Sequence, residues 1–175
     1  MGLEAAVAVL NRMVSDRVVS RYAIGGAFGA MFYIEPIETE DLDVYVDFPP
    51  DQVIASLEPI YAYLESIGYS ERRGIWVIIE GIPVQFLPVA GPLLEEAARQ
   101  AVNRPVGAGG TPASVFREEH LIALAVSLAR PDKDLPRIRQ FLAGRTVDSK
   151  RLAGVLKRHK LAEKYKSVLK VLRGR

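Results

Sequence analysis

The sequence contains no cysteine, one tryptophan and two histidines among its 175 residues. The absence of cysteine excludes disulfide bonds, zinc–thiolate sites and cysteine nucleophiles. No apolar run approaches the roughly 20 residues that a membrane-crossing helix needs. The N-terminus lacks the basic flank and long apolar core of a signal peptide, so we expect a cytoplasmic protein with no membrane partner.

What remains is the composition of an ordinary globular protein, with 49% hydrophobic and 25% charged residues. The net charge of +2 is unevenly distributed. Residues 150–175 hold ten of the 23 basic residues and a single acid, Glu163, so this segment carries +9 and residues 1–149 carry −7. A basic segment of this kind indicates an anionic partner.

Hydrophobic periodicity predicts an α/β region followed by a helical one. We expect strands over residues 21–24, 42–48, 69–73, 75–80 and 83–87, the last two joined by a tight turn at Glu80–Gly81. Helices are expected over residues 3–18, 27–33, 51–67 and 92–103, and then over 114–129, 133–142, 149–159 and 161–172. Residues 104–112 are rich in glycine and proline and are predicted to be a linker. The predicted division is a domain at 1–104 and a helical C-terminal region with a basic tail at 105–175.

Two aspartates stand one residue apart at the start of the second predicted strand. Asp41 and Asp43 point to the same face, because successive side chains of a strand alternate. Aspartate is disfavoured in strands, and two adjacent carboxylates repel unless a cation lies between them. The pair predicts a divalent-metal site, with solvated charges at an exposed strand start as the alternative.

A Gly–Gly pair ends the first predicted strand, about fifteen residues before the aspartates. Gly25 and Gly26 let backbone N–H groups approach phosphate oxygens, and the helix that follows offers its N-terminus to an anion. Alone, such a pair is more often only a turn. Combined with the paired carboxylates, it is a layout that holds a metal-bound nucleoside triphosphate. The leading hypothesis is therefore a phosphoryl- or nucleotidyl-transfer site.

The order strand, Gly–Gly, helix, loop and Asp-x-Asp resembles the nucleotidyltransferase superfamily that includes DNA polymerase beta. The residues that carry the resemblance are Ile24-Gly25-Gly26 and Asp41-Leu42-Asp43-Val44. The helical region is similar to the AbiEii-like nucleotidyltransferases, toxins of bacterial toxin–antitoxin systems, at residues 118–125 and 133–135. The resemblance covers roughly residues 5–160. It implies an α/β nucleotidyltransferase fold, a small mixed β-sheet flanked by helices, with a helical C-terminal region.

The resemblance also implies the reaction, which is Mg²⁺-dependent transfer of a nucleotide from a nucleoside triphosphate to an acceptor hydroxyl. Asp41 and Asp43 are then the catalytic residues and metal ligands. Gly25 and Gly26 hold phosphates, and Lys133 contacts the triphosphate or the acceptor. The implied acceptor is RNA, tRNA or protein, and an antitoxin protein is the implied partner. For the basic C-terminal helices the sequence leaves open an RNA-binding surface, a solvated outer face or an acidic protein partner.

The sequence departs from the family pattern where a third carboxylate is expected. That position, in the strand 83–87, is occupied by Gln85, which offers a carbonyl oxygen to Mg²⁺ but carries no charge and cannot act as a base. Glu80 on the neighbouring hairpin strand is a candidate substitute. Ala125 stands where the branch commonly has a lysine, and Arg137 where it tends to have an acid. The alternative function is a catalytically degenerate nucleotide- or RNA-binding module that keeps the fold.

Overall fold

A computed structural model describes residues 2–49, 56–144 and 146–174. Within these ranges the chain forms a seven-stranded sheet and eight helices. The strands are β1 (Arg21–Ile24), β2 (Leu42–Asp47), β3 (Arg72–Arg73), β4 (Trp76–Ile79), β5 (Ile82–Pro88), β6 (Val102–Val106) and β7 (Thr111–Val115). The helices are α1 (Leu3–Ser15), α2 (Gly26–Ala30), α3 (Glu58–Ser66), α4 (Pro92–Arg99), α5 (Glu118–Leu128), α6 (Asp134–Ala143), α7 (Ser149–Arg158) and α8 (Ala162–Arg173).

The strand order in the sheet is β3-β4-β5-β2-β1-β7-β6. β1 is antiparallel to β2 and parallel to β7, and β2 is parallel to β5. β4 and β5 form the predicted hairpin, and its turn residues Glu80 and Gly81 have φ values of 53° and 83°. The prediction of a mixed sheet flanked by helices is confirmed. The start of the predicted helix at 51–67 lies outside the described residues, and its described part is α3.

The prediction of a linker at residues 104–112 is wrong, because these residues form most of the β6–β7 hairpin. Gly107 and Gly110 turn the chain with φ values of 70° and 68°. Pro105 and Pro112 lie opposite each other in the strand pair. β6 is the edge of the sheet, where a missing N–H is tolerated, and β7 is paired with β1 only at Val115, beyond Pro112.

The same hairpin shortens two predicted helices. The helix expected over 92–103 ends at Arg99, and the helix expected from 114 begins at Glu118. Phe116 connects β7 to α5, and its backbone N–H donates to the carbonyl of Ile24 at 3.0 Å. The boundary predicted after residue 104 falls inside β6, and the division into two domains stays a prediction.

The sheet separates two hydrophobic cores. Side chains of β2 alternate, so that Leu42, Val44 and Val46 are buried in the core formed with α1 and α3. Each such valine or leucine contributes about 1.5–3 kcal/mol when it is fully removed from water. Asp43 and Tyr45 therefore face the opposite side of the sheet, where the C-terminal helices lie.

The second core is built around α5, which packs against α2, α4, α6, α7 and α8. Eight of its eleven residues are buried, as expected for a helix surrounded by other elements. A polar cluster crosses this layer at Glu96 of α4. Its carboxylate accepts from the Arg158 guanidinium at 2.6 and 3.0 Å and lies 3.1 Å from His120 Nε2 and 2.8 Å from His159 Nε2. None of the helices in the described ranges is long and apolar enough to cross a bilayer.

Candidate active site

A cavity of about 560 Å³ lies between one face of the sheet and the helices α5 and α6. Its lining includes five of the six residues predicted for the site, which are Gly26, Asp41, Asp43, Gln85 and Lys133. The fold therefore brings together residues that are separated by more than 100 positions in the sequence. The sixth residue, Gly25, lies directly before Gly26 and packs beneath the ring of Tyr45.

One side of the cavity, the sheet wall, consists of side chains on a shared face of β2 and β5, together with Asp41 directly before β2. They are Asp41, Asp43, Tyr45, Gln85 and Leu87. The parallel register pairs Asp43 with Gln85 and Tyr45 with Leu87. The side chain of Gln85 therefore stands beside the aspartate pair, at the position where the sequence led us to expect a third acid.

The two aspartates have different environments. The Asp41 carboxylate accepts a hydrogen bond from the Trp76 indole at 3.2 Å and another from the Thr39 hydroxyl at 3.3 Å. Burial raises the pKa of Asp43, and the negative charge of Asp41 raises it further. Ionisation of both carboxylates is thus unfavourable unless a cation binds near them. This is the expected electrostatic property of a metal-binding site.

Gly25 and Gly26 are required by the close approach of β2. A Cβ on Gly26 would overlap the Asp43 carboxylate, and a Cβ on Gly25 would lie 2.6 Å from Cε2 of Tyr45. Gly26 also has a φ of 56°, which L side chains rarely adopt. The glycine pair therefore lets the turn lie directly against the carboxylate, and Gly26 remains open to the cavity.

The opposite side, the helical wall, comes from α5, α6 and their connection. Its members are Leu121, Leu124, Ala125, Leu128, Arg130, Asp132, Lys133, Asp134, Pro136, Arg137 and Gln140. Arg130 is bound to the buried Asp134 by two side-chain contacts of 2.8 and 3.0 Å and by its backbone N–H. These two opposite charges compensate each other, which leaves Lys133 and Arg137 as the wall's uncommitted cations.

Lys133 is exposed at the start of α6, and no ion pair or hydrogen bond holds its ammonium within the described ranges. Arg137 lies one turn further along α6 and is half-buried. Its Nε is closed to solvent and has no hydrogen-bond partner in the part of the chain that the structure describes. Burial lowers the pKa of Arg137, and the charges of Asp134 and Asp43 oppose that effect.

Sequence reasoning did not identify Arg137, Arg130, Trp76 or Tyr45 as site residues. The spacing of Lys133 and Arg137 was the available signal for the first, because residues four apart share one face of a helix. Trp76 carried no such signal. Tyr45 lies two residues after Asp43 and therefore points to the same face of the strand, but from the sequence it was treated only as a strand residue. Burial raises the pKa of Tyr45 to about 12, so its hydroxyl stays protonated at neutral pH.

Glu80 does not reach the cavity, so it does not supply the third carboxylate. It lies in the β4–β5 turn, and its carboxylate accepts from the Tyr69 hydroxyl. Across the described residues, no group of three or more histidine, aspartate or glutamate side chains is arranged to hold a metal ion. Two carboxylates do suit Mg²⁺, because it binds through one or two of them and completes its coordination with water and substrate phosphates.

Comparisons by sequence identify no relative, since neither a protein-family model nor a curated protein matches this chain. Comparisons with solved structures find proteins of similar fold. An antigenic nucleotidyltransferase-like protein from Paracoccidioides brasiliensis matches with a TM-score of 0.57 and 14% identity over 97% of this chain and 91% of its own. The antibiotic-resistance factor ANT(2'')-Ia in solution matches with a TM-score of 0.52 and 14% identity, over 98% and 97%.

A crystal structure of ANT(2'')-Ia in complex with adenylyl-2''-tobramycin gives a TM-score of 0.54 and 16% identity, over 93% of this chain and 98% of that one. The chain therefore has the fold of nucleotidyltransferase-like proteins, which confirms the predicted fold class. The likeness extends over nearly the full length of each neighbour. The narrower resemblance to AbiEii-like toxins stays a prediction.

Proposed function

We propose that this protein transfers a nucleotide from a nucleoside triphosphate to an acceptor hydroxyl in a Mg²⁺-dependent reaction, in which the acceptor oxygen bonds to the α-phosphorus and pyrophosphate leaves. The observation that supports it most directly is the opposition of two charged walls in one cavity. Asp41 and Asp43 lie on the sheet wall, and Lys133 and Arg137 lie on the helical wall. A metal-bound triphosphate needs both, since carboxylates bind the metal and cations bind the phosphates.

In this proposal Asp41 and Asp43 hold Mg²⁺, which when bound supplies charge neutralisation on the transferred phosphoryl group. Trp76 and Thr39 orient the Asp41 carboxylate through their hydrogen bonds. Gln85 presents an amide oxygen beside Asp43 and cannot take a proton. Deprotonation of the acceptor hydroxyl then falls to the aspartate pair, in which burial raises the pKa of Asp43.

The fold neighbours support this class of reaction. One of them, ANT(2'')-Ia, forms a complex with adenylyl-2''-tobramycin, in which an adenylyl group is joined to an antibiotic. For this chain we propose that Gly25 and Gly26 admit the phosphate chain to the turn and that Lys133 contacts it from α6. The apolar part of the helical wall, with Leu124 and the 60%-exposed Leu128, provides a surface for the uncharged part of a substrate.

The proposal includes RNA or tRNA as the acceptor that the basic C-terminal helices bind. Nine cations of this segment are exposed in the part of the chain that the structure describes, and six of them, beyond those bonded to Glu96, Ser127 and Glu163, are Lys150, Arg151, Lys157, Lys160, Lys170 and Arg173. Exposed lysine and arginine side chains contact phosphates without sequence preference. Membership of a toxin–antitoxin system predicts growth arrest on expression, relieved by an antitoxin protein encoded beside it.

Incorporation of labelled nucleotide into RNA or a total cell extract tests the reaction. We expect Mg²⁺-dependent incorporation that disappears in the Asp41→Ala/Asp43→Ala double variant while its circular dichroism spectrum is retained. Equal incorporation by the double variant would contradict the proposal. Stabilisation by nucleotide without any turnover would instead favour the second candidate, a degenerate binding module, which the neutral Gln85 supports.

A further inference from the structure

Another cavity, which the proposed reaction does not use, is a groove of about 510 Å³ along α7 and α8. The two helices are joined by a turn at residues 159–161 and pack against each other. The large apolar side chains that line the groove are Leu142, Val147, Leu152, Leu156 and Tyr165. Leu152 and Leu156 are buried, whereas Ala153, which also lines the groove, is exposed. An apolar groove between two packed helices is a surface on which a third helix packs.

The groove is long enough for two turns of a partner helix. Ser149 and Leu156 both line it, and their separation of seven residues spans about 10 Å along α7. Amphipathic helices that bind in grooves place apolar anchors at positions i, i+3 or i+4, and i+7, which cover the same distance. The apolar length of the groove therefore matches one face of a short helix.

Lysines border the groove. Lys150 lies three residues before Ala153 and Lys157 four residues after it, and residues at these spacings are neighbours on a helix surface. No ion pair or side-chain hydrogen bond holds Lys150 or Lys157 in the described ranges. Lys166 lines the groove from α8, and its ammonium lies 2.8 Å from Glu163, the single acid of the basic C-terminal segment. The border is therefore cationic, and it complements a partner whose apolar face is flanked by carboxylates.

Tyr165 adds a polar group to this apolar surface. It is half-buried, and its hydroxyl has no hydrogen-bond partner in the part of the chain that the structure describes. Burial raises the pKa of Tyr165, so the hydroxyl is a donor at neutral pH. Asp148, the acid at the start of α7, already accepts from the Arg151 backbone N–H at 2.9 Å. A carboxylate from a bound partner would satisfy the Tyr165 hydroxyl.

We propose that the groove along α7 and α8 binds an amphipathic helix of a partner protein, whose apolar stripe is bordered by aspartate or glutamate. RNA fits this groove less well, because its phosphates would contact the lysines and leave the aliphatic floor uncovered. One tyrosine also does not form a stacking platform for successive bases. Arg151 is two residues from Ala153, on the side of α7 away from the groove, and stays available to the RNA proposed as acceptor.

Fluorescence anisotropy of a labelled synthetic peptide, titrated with the full chain, tests the proposal. The peptide has about four helical turns, roughly 15 residues, with leucines at helical spacing and glutamates between them. A peptide of the same composition in scrambled order is the reference. We expect the amphipathic peptide to bind at least about tenfold more tightly, because it alone presents a continuous apolar face. Ala153→Glu should weaken that binding at least about tenfold, because it places a carboxylate inside the groove.

Arg151→Glu is the matched control. It changes the charge of α7 by twice as much as Ala153→Glu but outside the groove, so we expect little change in the affinity for the peptide. Both residues are exposed, and circular dichroism checks that both variants keep the fold. Equal binding of the two peptides would overturn the proposal, as would equal weakening in the two variants.

Two further outcomes would assign the groove to another occupant and overturn the proposal. One is a single-stranded RNA whose binding is weakened more by Ala153→Glu than by Arg151→Glu. The other is a dimer of this chain, detected by analytical ultracentrifugation, that dissociates in Ala153→Glu. None of these measurements depends on nucleotide transfer, so they stand whether or not the proposed reaction is observed.

Discussion

The two walls of the cavity differ in how much of their charge the protein compensates internally. On the sheet wall, Asp41 and Asp43 bear like charges, and burial makes ionised Asp43 costly. On the helical wall, Arg130 is neutralised by Asp134, so that Lys133 and Arg137 remain available. The sheet wall therefore requires a cation and the helical wall an anion. A polyphosphate with its metal ion satisfies both walls, and the empty protein bears the cost of both.

The largest expected effect comes from removing the buried charge of the sheet wall. Asp43→Asn should lower nucleotide transfer at least about 100-fold, because a group that stabilises the transition state electrostatically is lost. The same change should raise the melting temperature at pH 7. Function and stability should thus move in opposite directions at this residue.

The pH dependence of that stabilisation follows from the raised pKa of Asp43. Between the ordinary and the raised pKa, the folded state binds more protons than the unfolded state, so stability falls as pH rises through this window. The advantage of Asp43→Asn over the unaltered protein should therefore be absent below the ordinary carboxylate pKa and complete at neutral pH. Thermal denaturation across this range measures it, and a variant less stable at pH 7 would refute the comparison between the walls.

A second change tests the layer of helices that the Glu96 cluster joins on this side of the sheet. Glu96→Ala leaves Arg158, His120 and His159 without their carboxylate partner. We expect the free energy of unfolding, measured in urea, to fall by about 3 kcal/mol. This is at the lower end of the range for breaking a buried ion pair, because Arg158 is half-exposed. Amide exchange should accelerate in α4 and α7 and change little in β2.

The Arg158 guanidinium holds the pKa of Glu96 well below its usual range, and both histidines add to the effect. Its stabilising contribution is therefore present above the ordinary carboxylate pKa and is lost as pH falls toward the lower folded value. The difference in stability between the unaltered protein and Glu96→Ala should shrink on acidification. A constant difference over the whole acid range would show that the cluster is not held by charge.

Gly26→Ala tests the close contact between the turn and the sheet wall. We expect the free energy of unfolding to fall by about 2 kcal/mol, because a Cβ at this position would overlap the Asp43 carboxylate and the φ of Gly26 is 56°. Gly110→Ala is the control, since its φ is 68° and no atom lies within 4 Å of the added Cβ. Equal losses in the two variants, measured by chemical unfolding, would mean that backbone strain alone accounts for the glycine at position 26.

The smallest expected effect is an increase in the affinity for Mg²⁺. Gln85→Asp places a third carboxylate beside Asp43, with which residue 85 is paired in register. We expect Mg²⁺ to bind about tenfold more tightly, which corresponds to about 1.4 kcal/mol, and the metal-free protein to become less stable. Isothermal titration measures the affinity, and Gln140→Asp, on the helical wall, controls for the added charge. No change in Gln85→Asp would mean that the sheet wall does not bind the metal.

The sheet wall could be predicted from sequence because its residues follow local rules. Asp41 and Asp43 share a face through the alternation of a strand, and the family resemblance marked Gln85 as the place of the third acid on the neighbouring strand. The helical wall depends on how α6 packs across the sheet, and no local pattern shows that Asp134 forms its hydrogen bonds with Arg130. The β6–β7 hairpin was missed because its turn glycines and edge prolines have the composition of a linker.

The position of β7 has a consequence for the growing chain. β1 lies between β2 and β7, yet β7 is completed only at Val115. A nascent chain that has emerged through residue 104 can form β1 to β5, but Ile24 of β1 then lacks its pairing with Val115 and the hydrogen bond from the Phe116 N–H, and backbone left unpaired at a strand edge pairs readily with other chains. Synthesis must therefore pass Phe116 before the sheet is closed. Slow translation through residues 105–115 is where we expect a chaperone to be needed most.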